Sequence, residues 1–314
     1  MPKWRTFKRP PAKTTGLIVI ESDDGYATDY DLWYPFFRKM SKEYSEFAPY
    51  NLIPFCPAVN SGYIGTTNYL TLNQLKTIAK WTEIMNHGKY HAGLGKYPLS
   101  ASAAAGQNTI YLTKANEVQI PSNYEYIIEE GGLSERIKPI SSDNMSMPIS
   151  TRTGTYLTLE TNLVNSYTAA ATIRISPESL ALENQGAVQT LSGWGIPVTN
   201  HVFPYHSGSQ YFVNAETVSA VDDIHTSSRG TISSSYQINL KGDNLINLKA
   251  MGNTLTQAQI DTLIQDLKTT DGVFIWFFHG SNTAKTFLEM LIRSAMTAGV
   301  RIVTRSEAAK HLQI

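Results

Sequence analysis

The chain has 314 residues, with 26 basic and 26 acidic side chains and a formal net charge of zero. That balance argues against a nucleic-acid binder working through a broad basic surface, so no nucleic-acid partner is expected. A single cysteine, Cys56, excludes an intrachain disulfide, and its apolar neighbours in LIPFCPAV mark it as a buried structural thiol.

The length suits one barrel of roughly 250 residues plus an insertion. The opening MPKWRTFKRPPAKTT is basic, and the apolar GLIVI after it is too short for a signal core or a membrane span. Neither an export signal nor a membrane span is expected. GLIVI reads as a first strand, ending in ESDDG. The aromatic and Met spacing of Asp31 to Tyr44 predicts a helix, NLIPFCPAV a second strand, and TLNQLKTIAK a helix with Leu72, Leu75, Ile78 and Ala79 on one face. WTEIMNH alternates as a strand does. Strand, helix, strand, helix, strand favours parallel pairing and an α/β fold.

The texture changes near Tyr97. From Pro98 to about Ile175, alternating stretches (NTIYLTK, YEYIIEE, TYLTLET, ATIRIS) are separated by Gly, Ser, Asn and Pro clusters, which reads as an all-β insertion. The helix-then-strand rhythm resumes in SPESLALENQGAVQTLSGWG and IPVTNHVFP. A helix over YFVNAETVSAV, a strand-and-loop region around INLKGDNLINLKA and a helix over TQAQIDTLIQDLKT follow. GVFIWFF is a very apolar strand, FLEMLIRSAMTAG a helix and RIVTR a closing strand. The expected organisation is 1–96 as the first part of a barrel, 97–176 as the β-rich insertion and 177–314 as the second part. An open doubly wound sheet is the alternative.

Polar groups collect at one kind of place, the carboxyl end of a strand. Asp23 and Asp24 follow LIVI, His87 and His91 follow TEIMN, and His279 follows VFIWFF. In α/β barrels those ends converge to build the active site. Two imidazoles and one carboxylate form a set suited to Zn²⁺ or another divalent transition metal, with positions left for water and substrate. HGKYH is not the metalloprotease motif, because Gly88 stands where that motif has Glu. Taken alone, His87 and His91 are equally well surface or structural histidines. His279 reads either as a hydrogen-bonded core histidine or as an acid or base at the rim. His206 reads as a substrate contact or a surface group, and His225 and His311 have no supporting pattern.

ESDDG, EIMNHGKYH, HVFPYHSG and FIWFFHG, in this order, resemble the successive motifs of the polysaccharide deacetylase family, carbohydrate esterase family four, and GVRIVTRSEA resembles its closing strand and helix. The resemblance covers roughly 14–96 and 177–310. It implies a distorted (β/α) barrel that removes acetyl groups from N- or O-acetylated polysaccharide. By position it makes Asp23 the general base, Asp24, His87 and His91 the metal ligands, and His279 the general acid. Pro204, Tyr205 and His206 become substrate-binding residues, with a backbone N–H near Tyr205 for the oxyanion. The implied cofactor is Zn, with Co, Ni or Mn as alternatives. The family's supporting Arg is missing from HVFPYHSG, which offers His201 or none in its place; Lys249 in NLINLKA is a separate candidate for the positive charge. The β-rich stretch and GLIVIESDDG also look similar to deacetylase-like proteins of bacteriophage tails, which implies an extracellular or virion-associated setting and a homo-oligomer or tail assembly. A non-catalytic carbohydrate-binding or structural module on the same barrel is the competing reading.

Overall fold

The computed structural model describes residues 16–44, 53–113, 120–142, 156–205, 213–280 and 285–313. Seven strands carry the fold: β1 (Leu17–Asp23), β2 (Cys56–Val59), β3 (Met85–Asn86), β4 (Asn200–Val202), β5 (Ser227–Ser233), β6 (Leu248–Met251) and β7 (Val273–His279). They follow one another as neighbours, and β7 returns to pair in parallel with β1 from Leu17↔Val273 to Asp23↔His279. That pairing closes a parallel barrel and sets aside the open sheet.

Among the described residues seven α-helices accompany the strands: α1 (Tyr34–Glu43), α2 (Leu72–Ala79), α3 (Pro177–Gly193), α4 (Ala215–Asp222), α5 (Gln257–Thr270), α6 (Lys285–Ala298) and α7 (Arg305–Gln313). Their starts are legible in the sequence. Thr71, Asn214 and Thr256 close capping boxes with Gln74, Thr217 and Gln259, and Ser176 caps α3 ahead of Pro177. A single π turn, Asp29–Trp33, precedes α1.

The described residues pack as two compact units. The first takes Met1–Val59, Ile64–Met85 and Ile232–Ile314. In it, β1 alternates as a strand must: Leu17 and Val19 join Leu248, Ala250, Val273, Ile275 and Phe277 in a core that Ala308 and Leu312 of α7 complete. Glu21 and Asp23 continue the same face of β1. The strand therefore runs from apolar to acidic along one side. Cys56 lies buried in β2, in register with Glu21, as a free thiol.

The second unit takes Asn60–Tyr63 and Asn86–Thr231. Between β3 and α3 it forms two antiparallel sheets. One combines Lys96–Pro98, Thr172–Ile175, Tyr126–Glu130 and Leu133–Ile137; the other combines Thr109–Tyr111, Tyr156–Leu159 and Pro139–Ser142. The alternating stretches of the sequence thus form strands.

Two elements depart from the sequence reading. WTEIMNH yields a strand of only two residues, Met85–Asn86. SSRGTIS, which has no apolar run, forms β5, in which Ser227, Ser228 and Arg229 are buried; Ser227 Oγ donates to Asn200 Oδ1 at 2.7 Å.

Candidate metal centre

Where β1 ends, backbone geometry separates the two adjacent carboxylates. Asp23 is the last strand residue and is buried at 3% exposure, whereas Asp24 and Gly25 both adopt positive φ, 75° and 72°. Asp tolerates that region better than most residues; Gly25 also needs its missing Cβ, which would crowd Val59 at 2.9 Å. Tyr26 donates to the Asp24 carboxylate and stacks on Tyr69 with ring centroids 5.2 Å apart. Burial first, and the Asp24 charge second, push both tyrosine hydroxyls above their ordinary range. These phenols therefore stay protonated, and Tyr26 is the donor to Asp24.

Asp29 is a third carboxyl beside this pair. It is fully buried and accepts a hydrogen bond from Ser22 Oγ. Burial, with the charges of Asp24 and Asp23, pushes its pKa up to about 8, so at neutral pH it is mostly the neutral acid.

His279 closes β7 opposite Asp23 in register, with Nε2 3.8 Å from Asp23 Oδ2. Its side chain is 57% exposed while that of Asp23 is 5% exposed. A protected carboxylate beside a solvent-facing imidazole is an arrangement in which two groups can handle protons at one reacting centre.

His87 directly follows β3 and is buried at 2% exposure. Its Nδ1 lies 2.8 Å from the Val202 carbonyl, a bond that places the ring proton on Nδ1 and makes Nε2 the lone-pair nitrogen. The His91 ring stands edge-on to that of His87 at 4.7 Å and to that of Tyr205 at 4.6 Å. Asp24, His87 and His91 each offer one ligand atom, and these atoms lie within 4.8 Å of one another. The donor set is one carboxylate and two imidazoles, one imidazole with its tautomer fixed. It fits a divalent transition metal such as zinc.

Pro204 is buried and Tyr205, at φ 65°, is half-buried; His206 lies outside the described residues. His201 is fully buried with Nδ1 3.0 Å from Ser228 Oγ. Lys249 does not fill the place of the missing Arg: its Nζ pairs with Asp243 Oδ2 at 3.7 Å on the surface.

Sequence reasoning missed several polar groups around the histidines. Asn86 Oδ1 accepts from Gly88 N at 2.9 Å, and its Nδ2 lies 3.3 Å from His225 Nε2. His225, given no role from the sequence, is a buried neutral imidazole whose pKa burial lowers to about 4. Glu183 of α3 is a fully buried carboxylate facing the histidine loop. One signal for it was available: it interrupts an otherwise regular buried stripe of Leu180, Ala187 and Leu191.

No family model and no curated protein matches the sequence. Among solved structures the chain is similar to a polysaccharide deacetylase from Bacillus cereus, at 10% identity and a TM-score of 0.37, over 74% of this chain and 45% of that one. The chain thus spans less than half the length of that protein. It is also similar to a CE4 family pseudoenzyme from Bacillus anthracis, at 11% identity and a TM-score of 0.45, over 96% of this chain and 67% of that one. A protein assigned as a polysaccharide deacetylase from Mycobacterium smegmatis is similar at 10% identity and a TM-score of 0.49, over 96% and 91% of the two chains. At TM-scores below 0.5 these likenesses decide neither fold nor chemistry. The strand order and the side chains carry both.

Proposed function

We propose that this protein is a metal-dependent deacetylase acting on an acetylated polysaccharide, with N-acetyl or O-acetyl sugars as the bond class. The observation that carries the reading is the pairing of two sets. One is the Asp24, His87 and His91 donor set; the other is the Asp23 and His279 pair, which a passive metal site does not need. Zinc is the metal best suited to the donors, with Co, Ni or Mn as substitutes.

A bound divalent cation supplies Lewis acidity and lowers the pKa of water towards about 7. Asp23 takes the proton of the attacking water as general base. His279, exposed enough to meet an incoming glycan, hands a proton to the departing amine or alcohol as general acid. A backbone N–H near Tyr205 serves the developing oxyanion, and Pro204 and Tyr205 contact the substrate; His206, the third substrate-binding candidate, lies outside the described residues. No covalent intermediate is required.

We further assign 97–176 as an insertion in the barrel formed by 1–96 and 177–314. The setting is extracellular or virion-associated, in a homo-oligomer or a phage tail assembly. No helix among the described residues is long and apolar enough to cross a membrane.

The test joins two readouts on one preparation: metal content by elemental analysis, and acetate release from a panel of acetylated glycans with and without added zinc. The expected result is about one metal per chain, with Asp23→Asn keeping the metal and losing acetate release by about 10²- to 10⁴-fold. A protein that holds no metal and releases no acetate after reconstitution would overturn the proposal in favour of a binding module.

A further inference from the structure

The segment carrying both histidines is short and conformationally unusual. Gly88 and His91 adopt positive φ, 83° and 54°, and for a non-glycine such as His91 that geometry costs of order 1 kcal/mol. It persists only where the surroundings over-determine it. The carbonyl side of the segment is held by residues 61–63: Ser61 N donates to Gly88 O at 3.2 Å, Gly62 N to Lys89 O at 2.8 Å, and Tyr63 Oη to Tyr90 O at 2.9 Å.

The amide side converges on one group, the buried carboxylate of Glu183. Tyr90 N donates to Oε2 at 2.9 Å and Ala92 N to Oε1 at 3.0 Å, and the Lys89 amide contributes as well. The residues on either side of His91 are thus both tied to the same carboxylate. A run of backbone amides wrapped round one acceptor group resembles a nest, and here the acceptor is a side chain of the protein itself, whose pKa burial raises and whose hydrogen-bond donors oppose that rise. Gly88 fits the same device, because a Cβ there would collide with Glu183 Oε1. A fourth donor comes from the β-rich region: Tyr124 Oη gives its proton to Glu183 Oε2 at 2.6 Å, and the Tyr124 ring lies 5.8 Å from that of Tyr90.

We propose that Glu183 is the positioning residue of the metal centre, fixing the separation of His87 and His91 by organising the loop between them. Tyr124 makes the β-rich region part of that support. This rests on the metal-binding reading above, and it adds to that reading a role for a residue that touches neither metal nor substrate. Anchoring of this kind typically governs 10- to 100-fold in metal affinity.

The experiment uses the full chain with two variants. Glu183→Gln keeps the shape but turns one acceptor oxygen into an amide donor facing backbone N–H groups. Tyr124→Phe removes only the phenol oxygen, and carries the test if the first variant fails to fold. Zinc affinity is measured by competition with a chromophoric chelator, and amide hydrogen exchange is measured on the metal-free proteins. Glu183→Gln is expected to weaken zinc binding about 10- to 100-fold, and Tyr124→Phe about three- to tenfold. Exchange should quicken at Tyr90 and Ala92, with the amides of Ile275 and Trp276 in β7 unchanged. A general loss of stability would raise exchange in β7 too. The proposal is overturned if the folded variants bind zinc within twofold of the parent, or if Tyr90 and Ala92 exchange at parental rates. A parent that binds no zinc defeats the proposed function instead, and the exchange rates then judge the cradle on their own.

Discussion

Arg305 and Glu21 form an ion pair in the interior, and its removal gives a sharp test of how the barrel tolerates acid at its centre. Arg305 Nη2 donates to Glu21 Oε1, and both side chains are fully buried. Among the described residues Arg305 Nε and Nη1 have no hydrogen-bond partner, so this one bond is the main polar return on a buried guanidinium. Arg305→Met fills similar volume and removes the guanidinium that balances the buried Glu21, which costs about 3–5 kcal/mol. Unfolding entropy of about 2.1 cal/mol/K per residue gives about 0.66 kcal/mol/K for a chain of this length, so the midpoint should fall by about 5–8 °C. Glu21→Leu in the Arg305→Met background removes the stranded charge and should restore most of that loss. Circular dichroism melts with a urea titration of all four proteins measure the cycle. A single variant within about 2 °C of the parent would refute the reasoning. So would a double variant that falls as far as the single.

Three further outcomes follow from the same geometry. The pKa of His225 is lowered to about 4 by burial, against about 6.5 unfolded. Its contribution is therefore complete above pH 6.5 and is lost as pH falls towards 4, by about 3 kcal/mol; His225→Gln should flatten urea stability across that window. The pKa of Asp29 is raised to about 8, so the folded state keeps a proton that the unfolded chain releases near 4, and stability declines as pH rises between them. Asp29→Asn should raise the melting midpoint at pH 8 and change it little at pH 4 in chelator-treated protein; an equal shift at both pH values would contradict this. Gly88→Ala combines positive φ with a collision against Glu183, and should cost about 1–3 kcal/mol with a matching loss of zinc affinity by chelator competition.

What was legible in the sequence is what changes abruptly along it. β1 and β7 are runs of buried apolar residues that end in Asp23 and His279, and the switch from apolar to ionisable marks both the strand end and the candidate chemistry. The α2 face of Leu72, Leu75, Ile78 and Ala79 was legible as a three- and four-residue spacing, and the structure adds Thr-to-Gln capping boxes that satisfy two otherwise orphaned amides at the starts of α2 and α5. β5 was invisible for the opposite reason. Ser227, Ser228 and Arg229 are buried polar residues, and such burial depends on partners far along the chain that no local pattern encodes. Glu183 was hidden similarly, since a glutamate in a helix ordinarily faces water; only its place in the stripe with Leu180 and Ala187 set it apart. Asn86 drew no role of its own within WTEIMNH, yet its side-chain oxygen Oδ1 holds the Gly88 amide at the start of the histidine turn.

The adjacent carboxylates that a fold ordinarily avoids are accommodated by giving each a different environment. Along one face of β1, apolar packing gives way to Glu21 and then Asp23. Glu21 is neutralised from α7 by Arg305, so the charge nearest to Asp23 on that face is already compensated. Asp23 then faces His279 from the neighbouring strand, a partner able to carry or release a proton. Asp24 leaves the strand through two successive left-handed residues and takes its hydrogen bond from Tyr26, whose hydroxyl is kept protonated by burial and by the charge it serves. One carboxylate is thus held by a donor, which suits its proposed part as metal ligand, while the other stands beside an imidazole, which suits its proposed part as base. The division of labour follows from the backbone turning between the two, and it would be lost if β1 continued straight through Asp24.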